Sequence, residues 1–412
     1  MLSDAQKIIS DSIAAVLPDE AVRRALTGRV FSGRVVLVAI GKAAWRMANT
    51  AYAVLGDQIS RGVVITKYDH SEGQIGHLEI IEAGHPVPDE NSMRGAKRAL
   101  DMVSNLTQQD TVLFLISGGG SALFELPLAP CTLADMADLT RRLLACGADI
   151  TEINTIRKHL SGVKGGRFAA ACAPANVLSI VLSDVLGDPI DAIASGPAAP
   201  DSSTCEDVQR IIVKYALSVP EHIKPLLAQE TPKALHGVTT QITGNVTALC
   251  DAAAQSAAQL GYTPLMLTAT LNCEAREAGA VLAAIAREIR SSGQPVRPPC
   301  AVIMGGETVV HLRGSGKGGR NQELALAAAK EIDGLKDVCI FSLGSDGTDG
   351  PTDAAGGIVT GEFAGDCRAK GLSIDAALQN NDAYPLLKAM DAQLITGPTG
   401  TNVNDIAVLL CK

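Results

Sequence analysis

Residues 111–123, TVLFLISGGGSAL, set a run of apolar residues against a glycine turn and the start of a helical pattern. Val112 to Ile116 show no polar alternation, as a strand buried on both faces requires. The same kind of run recurs in RVVLVAI (34–40), which leads into GKAA, in GVVITK (62–67) and in NVLSIVLSD (176–184). Between these runs lie helical segments. Leu133–Cys146 has apolar residues at 133, 136, 139, 143 and 144, and a second helical segment is predicted over Ile153–Ala171. Strands alternating with helices predict an α/β fold, with a buried, largely parallel, doubly wound sheet in the first half.

After Pro197 the composition turns to GPAAPDSSTCED, and prolines at 220, 225 and 232 follow. Alternation then restarts with helix 246–260, strand PLMLT (264–268), helix 274–291, strand CAVIMG (300–305), the run VVHLR, helix 322–332 and strand VCIFSLG (338–344). Two domains are expected: a larger Rossmann-like one over 1–230 and a smaller α/β one over 231–412.

Composition narrows the function. The 412 residues are 47% hydrophobic and 19% charged, with 40 glycines and a net charge of -9, so no global basic field exists for nucleic acid or an anionic membrane. Ten cysteines stand singly, without the spacing of a metal site or a redox pair, and read as small apolar residues in a reducing compartment. The N-terminus lacks the pattern of a secretory signal and no long uncharged apolar window occurs, which makes the cytoplasm the expected location.

Six glycine-rich turns fall where strands end, the position at which open α/β sheets bind ligands. In the first half, Ser117, Gly118, Gly119, Gly120 and Ser121 offer backbone amides to phosphate or substrate oxygens; a plain tight turn is the alternative. Lys42 follows a strand, where its ammonium could meet a phosphoryl group or a carboxylate; a solvated surface lysine is the alternative. Neither turn is a Walker A loop. Arg157 and Lys158, with Asn154 and His159 beside them, put cations on one helix, as a surface helix also would. His85 is a candidate acid or base, or a structural turn residue.

In the second half, GGETVVHLRGSGKGGRNQELALAAA opens at Gly305 and lies between an expected strand and an expected helix. Gly316, Gly318 and Gly319 free backbone amides, Lys317 and Arg320 add charge, and Asn321 opens the helix, so the loop reads as an anion site. Asp184 and Asp188, then Asp346, Asp349 and Asp353, are grouped hard oxygen donors of the kind that hold Mg²⁺ against nucleotide phosphates; aspartates also favour turns for local reasons. Gly314, Gly316 and Gly319 satisfy the dinucleotide spacing G-x-G-x-x-G, but no acidic residue ends a following strand about 20 residues on.

These segments, with HPVPDENSMRGAKRAL, ADITEINTIRKHLSGVKGGR, SIVLSDVLGDPIDAIASGP, GSDGTDGPTDAAGGIV and ITGPTGTNVNDIAVLL, closely resemble the class II glycerate kinases, the glycerate 2-kinase type. The resemblance implies ATP-dependent phosphorylation of D-glycerate at its 2-hydroxyl, with Mg²⁺, in a cleft between two α/β domains. It implies catalytic roles for Lys42 and Arg320. SDVLGDPIDAI departs from the family's more usual SDVPGDDPSVI, but Asp184 and Asp188 are kept. Combined with the residue reading, Asp184 joins the catalytic candidates and Asp184, Asp188, Asp346 and Asp349 the metal candidates. Members of this family have also carried the name hydroxypyruvate reductase, and NAD(P)H-dependent reduction of hydroxypyruvate is the alternative activity. Expected partners are small molecules, with a homodimer allowed.

Overall fold

Val35, Leu37 and Ala39 face one side of the strand β1 (Val35–Ile40) and Val36, Val38 and Ile40 the other, and all six are fully buried. Helix Ala44–Leu55 covers the first side, while Ala96, Ala99, Phe124 and Phe168 pack on the second. β1 is the centre of a six-stranded sheet with β2 (Ile59–Lys67), β3 (Glu79–Ala83), β4 (Thr111–Ile116), β5 (Asn176–Leu182) and β6 (Val238–Gly244), ordered β3-β2-β1-β4-β5-β6. The pairs β3–β2, β2–β1, β1–β4 and β4–β5 are all parallel. This is the doubly wound order of a Rossmann-like sheet. The direction of strand succession reverses between β1 and β4, so the loops that leave their carboxyl ends open a crevice there.

The computed structural model describes residues 1–412 and divides them into two units, Ala21–Thr243 and Met1–Glu20 with Gly244–Lys412. This departs from the expected 1–230 and 231–412 at both ends. β6 carries the first unit to Thr243. The first helix, Leu2–Ala15, packs on Val246–Gln259, with Asp11 accepting from the Ser256 hydroxyl at 2.6 Å and Asp4 from Tyr262 at 2.7 Å.

The second unit's sheet contains β7 (Thr263–Leu271), β8 (Cys300–Gly306), β9 (Val338–Gly344), β10 (Gly356–Thr360), β11 (Gln393–Leu394) and β12 (Asp405–Cys411), ordered β11-β10-β9-β12-β8-β7. β12 runs antiparallel to both β8 and β9, so this sheet is mixed. Helices Ala275–Ser292 and Arg320–Glu331 cover one face, burying Val302, Met304, Ile340, Ala407 and Leu409. VVHLR forms no strand, and residues 307–319 are an extended loop. The helical segment expected over 153–171 is two helices, Ile150–Leu160 and Arg167–Ala171, because Gly165 and Gly166 take left-handed backbone at φ 54° and 82°. No helix is long and apolar enough to cross a membrane.

Candidate active site

At the switch point of the first unit the loops after β1 and β4 are stitched together. The Lys42 amide donates to the Gly118 carbonyl at 2.8 Å, and the Ala43 amide to the Ser117 hydroxyl at 3.0 Å. Gly41, at φ 115°, is obligatory, since a Cβ there would stand 2.2 Å from Ser117 Oγ. Ser117 is therefore a buried clamp between the two loops and not a ligand group. The Gly118 and Gly119 amides make no hydrogen bond within the protein. A Cβ on Gly118 would lie 2.4 Å from Asp184 Oδ2, and one on Gly119 would lie 3.2 Å from both Lys42 Cγ and His85 Nε2. Side chains from the ends of β1, β3 and β5 thus close on the Gly118–Gly119 backbone at the end of β4. The helix that follows, Gly120–Leu123, is a single turn, so the site rests on these amides and not on a helix dipole.

Burial, with Lys42, Lys67 and His70 adding to it, pulls the His85 pKa down, so the ring is uncharged at neutral pH. Behind the turn, the Ser121 carbonyl accepts from Lys164 at 2.7 Å and Arg157 at 3.2 Å, and the Ser121 hydroxyl meets Ser195 Oγ at 2.8 Å. Glu125, wholly buried, pairs with Arg157 at 3.4 Å and Lys164 at 3.5 Å. Arg157 and Ser121 therefore brace the glycine turn from behind. Lys158 points elsewhere, into a buried pair with Asp201 at 3.1 Å and Asp191 at 3.3 Å, and its charge is not available to a substrate.

In the second unit, most glycines of the loop 314–319 serve packing. A Cβ on Gly314 would meet Asn380 Oδ1 at 2.3 Å, one on Gly316 would meet Asp382 Cβ at 2.4 Å, and one on Gly319 would meet Asp349 Cγ at 2.2 Å. The Gly314 amide donates to Asn381, that of Gly316 to the Asn380 carbonyl and that of Lys317 to Asp382. The expected cradle over Gly316 and Lys317 is thus already filled by the protein. The Lys317 ammonium lies 4.6 Å from the Tyr384 ring centre. Only the amides of Gly318, Gly319 and Arg320 lack partners, at the start of the helix Arg320–Glu331.

Asp349 caps that helix from outside, because Gly319 at the N-cap has no side chain. Its Oδ1 accepts from the Asn321 amide at 3.1 Å and its Oδ2 from the Gln322 amide at 2.9 Å. This occupies a residue expected to hold metal, and Asn321, whose side-chain Oδ1 accepts from the Ser342 hydroxyl at 2.6 Å, is equally structural. Asp353 accepts from Tyr384 at 2.8 Å. Asp346, half-buried, uses Oδ1 to accept from the Thr348 amide at 3.0 Å and lines a cavity of about 630 Å³. Gly318, Gly319 and Arg320 line that cavity, as do Val309, Val310 and Leu312.

Arg320 is held by Asp405, from Nε at 2.5 Å and Nη2 at 3.0 Å, and by Glu307 at 2.8 Å. Burial pushes the Asp405 carboxyl up to about 6 despite these bonds, with Asp349 adding to the rise, while the Arg320 guanidinium stays charged. At neutral pH the pair is ionised and the guanidinium is fixed in plane by a two-pronged contact.

A family model described as "Domain of unknown function (DUF4147)" matches residues 4–228 and one described as "MOFRL family" matches 300–405. A Thermotoga maritima protein named D-glycerate 2-kinase is 54% identical over 402 residues, which is 98% of this chain and 96% of that one. The crystal structure of a glycerate kinase from Thermotoga maritima matches with a TM-score of 0.97 and 54% identity, covering 100% of this chain and 99% of that one. The chain belongs to the class II glycerate kinase family. An Agrobacterium vitis relative, 42% identical over 383 residues (92% of this chain, 99% of that one), carries a hydroxypyruvate reductase name. The dinucleotide spacing behind the reductase alternative does not form a dinucleotide turn here. The amides of Gly314 and Gly316 are taken by Asn381 and Asn380, and antiparallel β12 separates β8 from β9, so no βαβ unit surrounds the loop.

In this kinase-family chain Asp405, Glu307, Asn380, Asn381 and Asp382 carry no motif or spacing that marks them as part of the site. Asp405 left a trace as the last residue of TGPTGTNVND before an apolar run, and Glu307 as the third residue of GGETVVHLR.

Proposed function

We propose that this chain is an ATP-dependent kinase that phosphorylates D-glycerate at its 2-hydroxyl, giving 2-phosphoglycerate and ADP. The observation that carries the reading is the 54% identity over 98% of the chain to a D-glycerate 2-kinase. The grouping of Lys42, His85, Asp184 and the open Gly118–Gly119 amides at one switch point supports it independently. The ten cysteines, none in a disulfide, suit the cytoplasm we assign to it.

The first unit is read as the acceptor side. Gly118 and Gly119 amides and the Lys42 ammonium would bind anionic oxygens, and neutral His85 would take the proton of the attacking hydroxyl. The second unit is read as the nucleotide side, with the Gly318–Arg320 amides and the Arg320 guanidinium toward phosphate and Val309, Val310 and Leu312 toward the apolar part of the nucleotide. Lys42 and Arg320 are the cations we assign to charge stabilisation. Asp405 and Glu307 position Arg320, and Arg157 and Ser121 position the glycine turn.

Asp184 and Asp188, half-buried carboxylates after β5, are the hard-oxygen set that would suit Mg²⁺ in the first unit, and Asp346, considered by itself, is a donor of the same kind in the second. Bound Mg²⁺ would neutralise charge on the phosphates. Asp349 is left out of this set because its oxygens cap a helix. ADP release with D-glycerate and MgATP, measured beside NAD(P)H consumption with hydroxypyruvate, tests the reading. ADP release alone is expected, and NAD(P)H consumption without it would reverse the assignment.

A further inference from the structure

His159, Cys205 and Glu230 are far apart in sequence and outside the site described above, yet each brings a donor atom within 4.8 Å of the other two. His159 lies in the last turn of the helix Ile150–Leu160, fully buried. Its Nδ1 lies 2.9 Å from the Thr155 carbonyl, which fixes the proton on Nδ1 and leaves Nε2 as a bare acceptor. Nε2 is buried and has no hydrogen-bond partner. A buried polar atom left unpaired in this way calls for a reason. Cys205 opens the helix Cys205–Lys214, and its amide donates to Glu230 Oε1 at 2.9 Å. Glu230 Oε2 pairs with Lys233 at 2.8 Å.

We propose that His159 Nε2, Cys205 Sγ and the Glu230 carboxylate form a binding site for a borderline-soft divalent cation, Zn²⁺ foremost. An imidazole, a thiolate and a carboxylate are a zinc donor set, and the thiolate disfavours Mg²⁺ and Ca²⁺. The Nδ1–H bond to a backbone carbonyl is the outer contact that orients a metal-binding histidine. Tetrahedral bonds of about 2.0–2.3 Å place donors about 3.3–3.8 Å apart, so the side chains close by about 1 Å on binding. Cys205 and Glu230 are partly exposed and can make that movement, Glu230 exchanging its Lys233 contact for the ion. Binding converts the thiol to thiolate and releases one proton to solvent, and water completes the fourth position. The ion ties the helix that carries Asn154 and Arg157, both joined to the glycine-turn network, to the helix starting at Cys205.

Full-length protein stripped with a chelator is titrated with Co²⁺ alone and then with Zn²⁺. About one equivalent of Co²⁺ should give a thiolate-to-cobalt charge-transfer band with the intense visible bands of tetrahedral cobalt, and Zn²⁺ should displace it. Cys205→Ser should abolish the charge-transfer band, and Glu230→Gln should weaken Co²⁺ binding at least about tenfold. Both variants alter partly exposed residues and should keep the wild-type circular dichroism. Absence of the band in the wild type, or its persistence in Cys205→Ser, overturns the site whether or not the chain is a glycerate kinase.

Discussion

Gly118→Ala isolates the role of Asp184. Gly118 does not occupy left-handed backbone, so alanine is tolerated by the chain itself. Its new Cβ would fall 2.4 Å from Asp184 Oδ2, and real Cβ atoms essentially never stand closer than 3.0 Å to another group, so the carboxylate must retreat by at least about 0.6 Å. The obstacle is the end of a side chain, which can move, so the fold survives. A misplacement of about 1 Å in a reacting array costs about 10²-fold, which puts the loss in kcat between about 10-fold and 10²-fold. The assay is ADP release at saturating MgATP and D-glycerate, with the urea midpoint as a control for folding. Turnover within about threefold of wild type, with folding intact, would refute a catalytic or metal-holding position for Asp184. Gly119→Ala gives the contrast: at φ 84° it should lose stability by about 1–2 kcal/mol.

Asp349→Ala removes the outside cap of the helix Arg320–Glu331 and strands the Asn321 and Gln322 amides, so urea unfolding should show a loss of about 2–4 kcal/mol; Asp349→Asn, which keeps an acceptor for only one of the two amides, should still lose about half of that or more. Arg320→Ala should lower kcat by about 10³-fold or more, and near wild-type turnover in the folded variant would remove its proposed role. As pH falls through about 6, Asp405 takes up a proton, so that one of its two oxygens stops accepting from Arg320 and the other loses its charge; the two-pronged hold weakens and turnover should fall there. Asp405→Asn should be slower at pH 8 and lack that limb; an unchanged limb would assign it to another group, His85 first. The sign for stability is opposite. The folded pKa of Asp405 is raised, so its contribution is present in full below about pH 4 and is lost as pH rises through about 6, a trend the asparagine variant should lack.

The first sheet was legible because parallel strands buried on both faces read as unbroken apolar runs. TVLFLIS and RVVLVAI are β4 and β1 within a residue. Strand direction leaves no mark on such a run, so the tail NDIAVLL gave no sign that β12 lies antiparallel between β8 and β9. The glycines at 314, 316 and 319 were visible, but their cause, close packing on Asn380, Asp382 and Asp349, lies 30 to 66 residues away in sequence. Lys158 and Arg157 are neighbours in sequence yet about 100° apart around a helix, which sends one to Asp201 and the other to Ser121. Grouped aspartates gave no means of telling that Asp349 spends both oxygens on capping a helix while Asp346 does not.

Transfer of a phosphoryl group to the 2-hydroxyl of D-glycerate, the activity proposed for this chain, can be read from its product. Incubation of the purified chain with MgATP and D-glycerate, followed by phosphorus NMR of the quenched mixture, distinguishes the two phosphoglycerates directly. The product should be 2-phosphoglycerate, one molecule per ADP formed, with Lys42→Ala producing about 10²-fold to 10³-fold less per unit time. Formation of 3-phosphoglycerate, or ATP hydrolysis with no phosphorylated glycerate, would contradict the proposed activity.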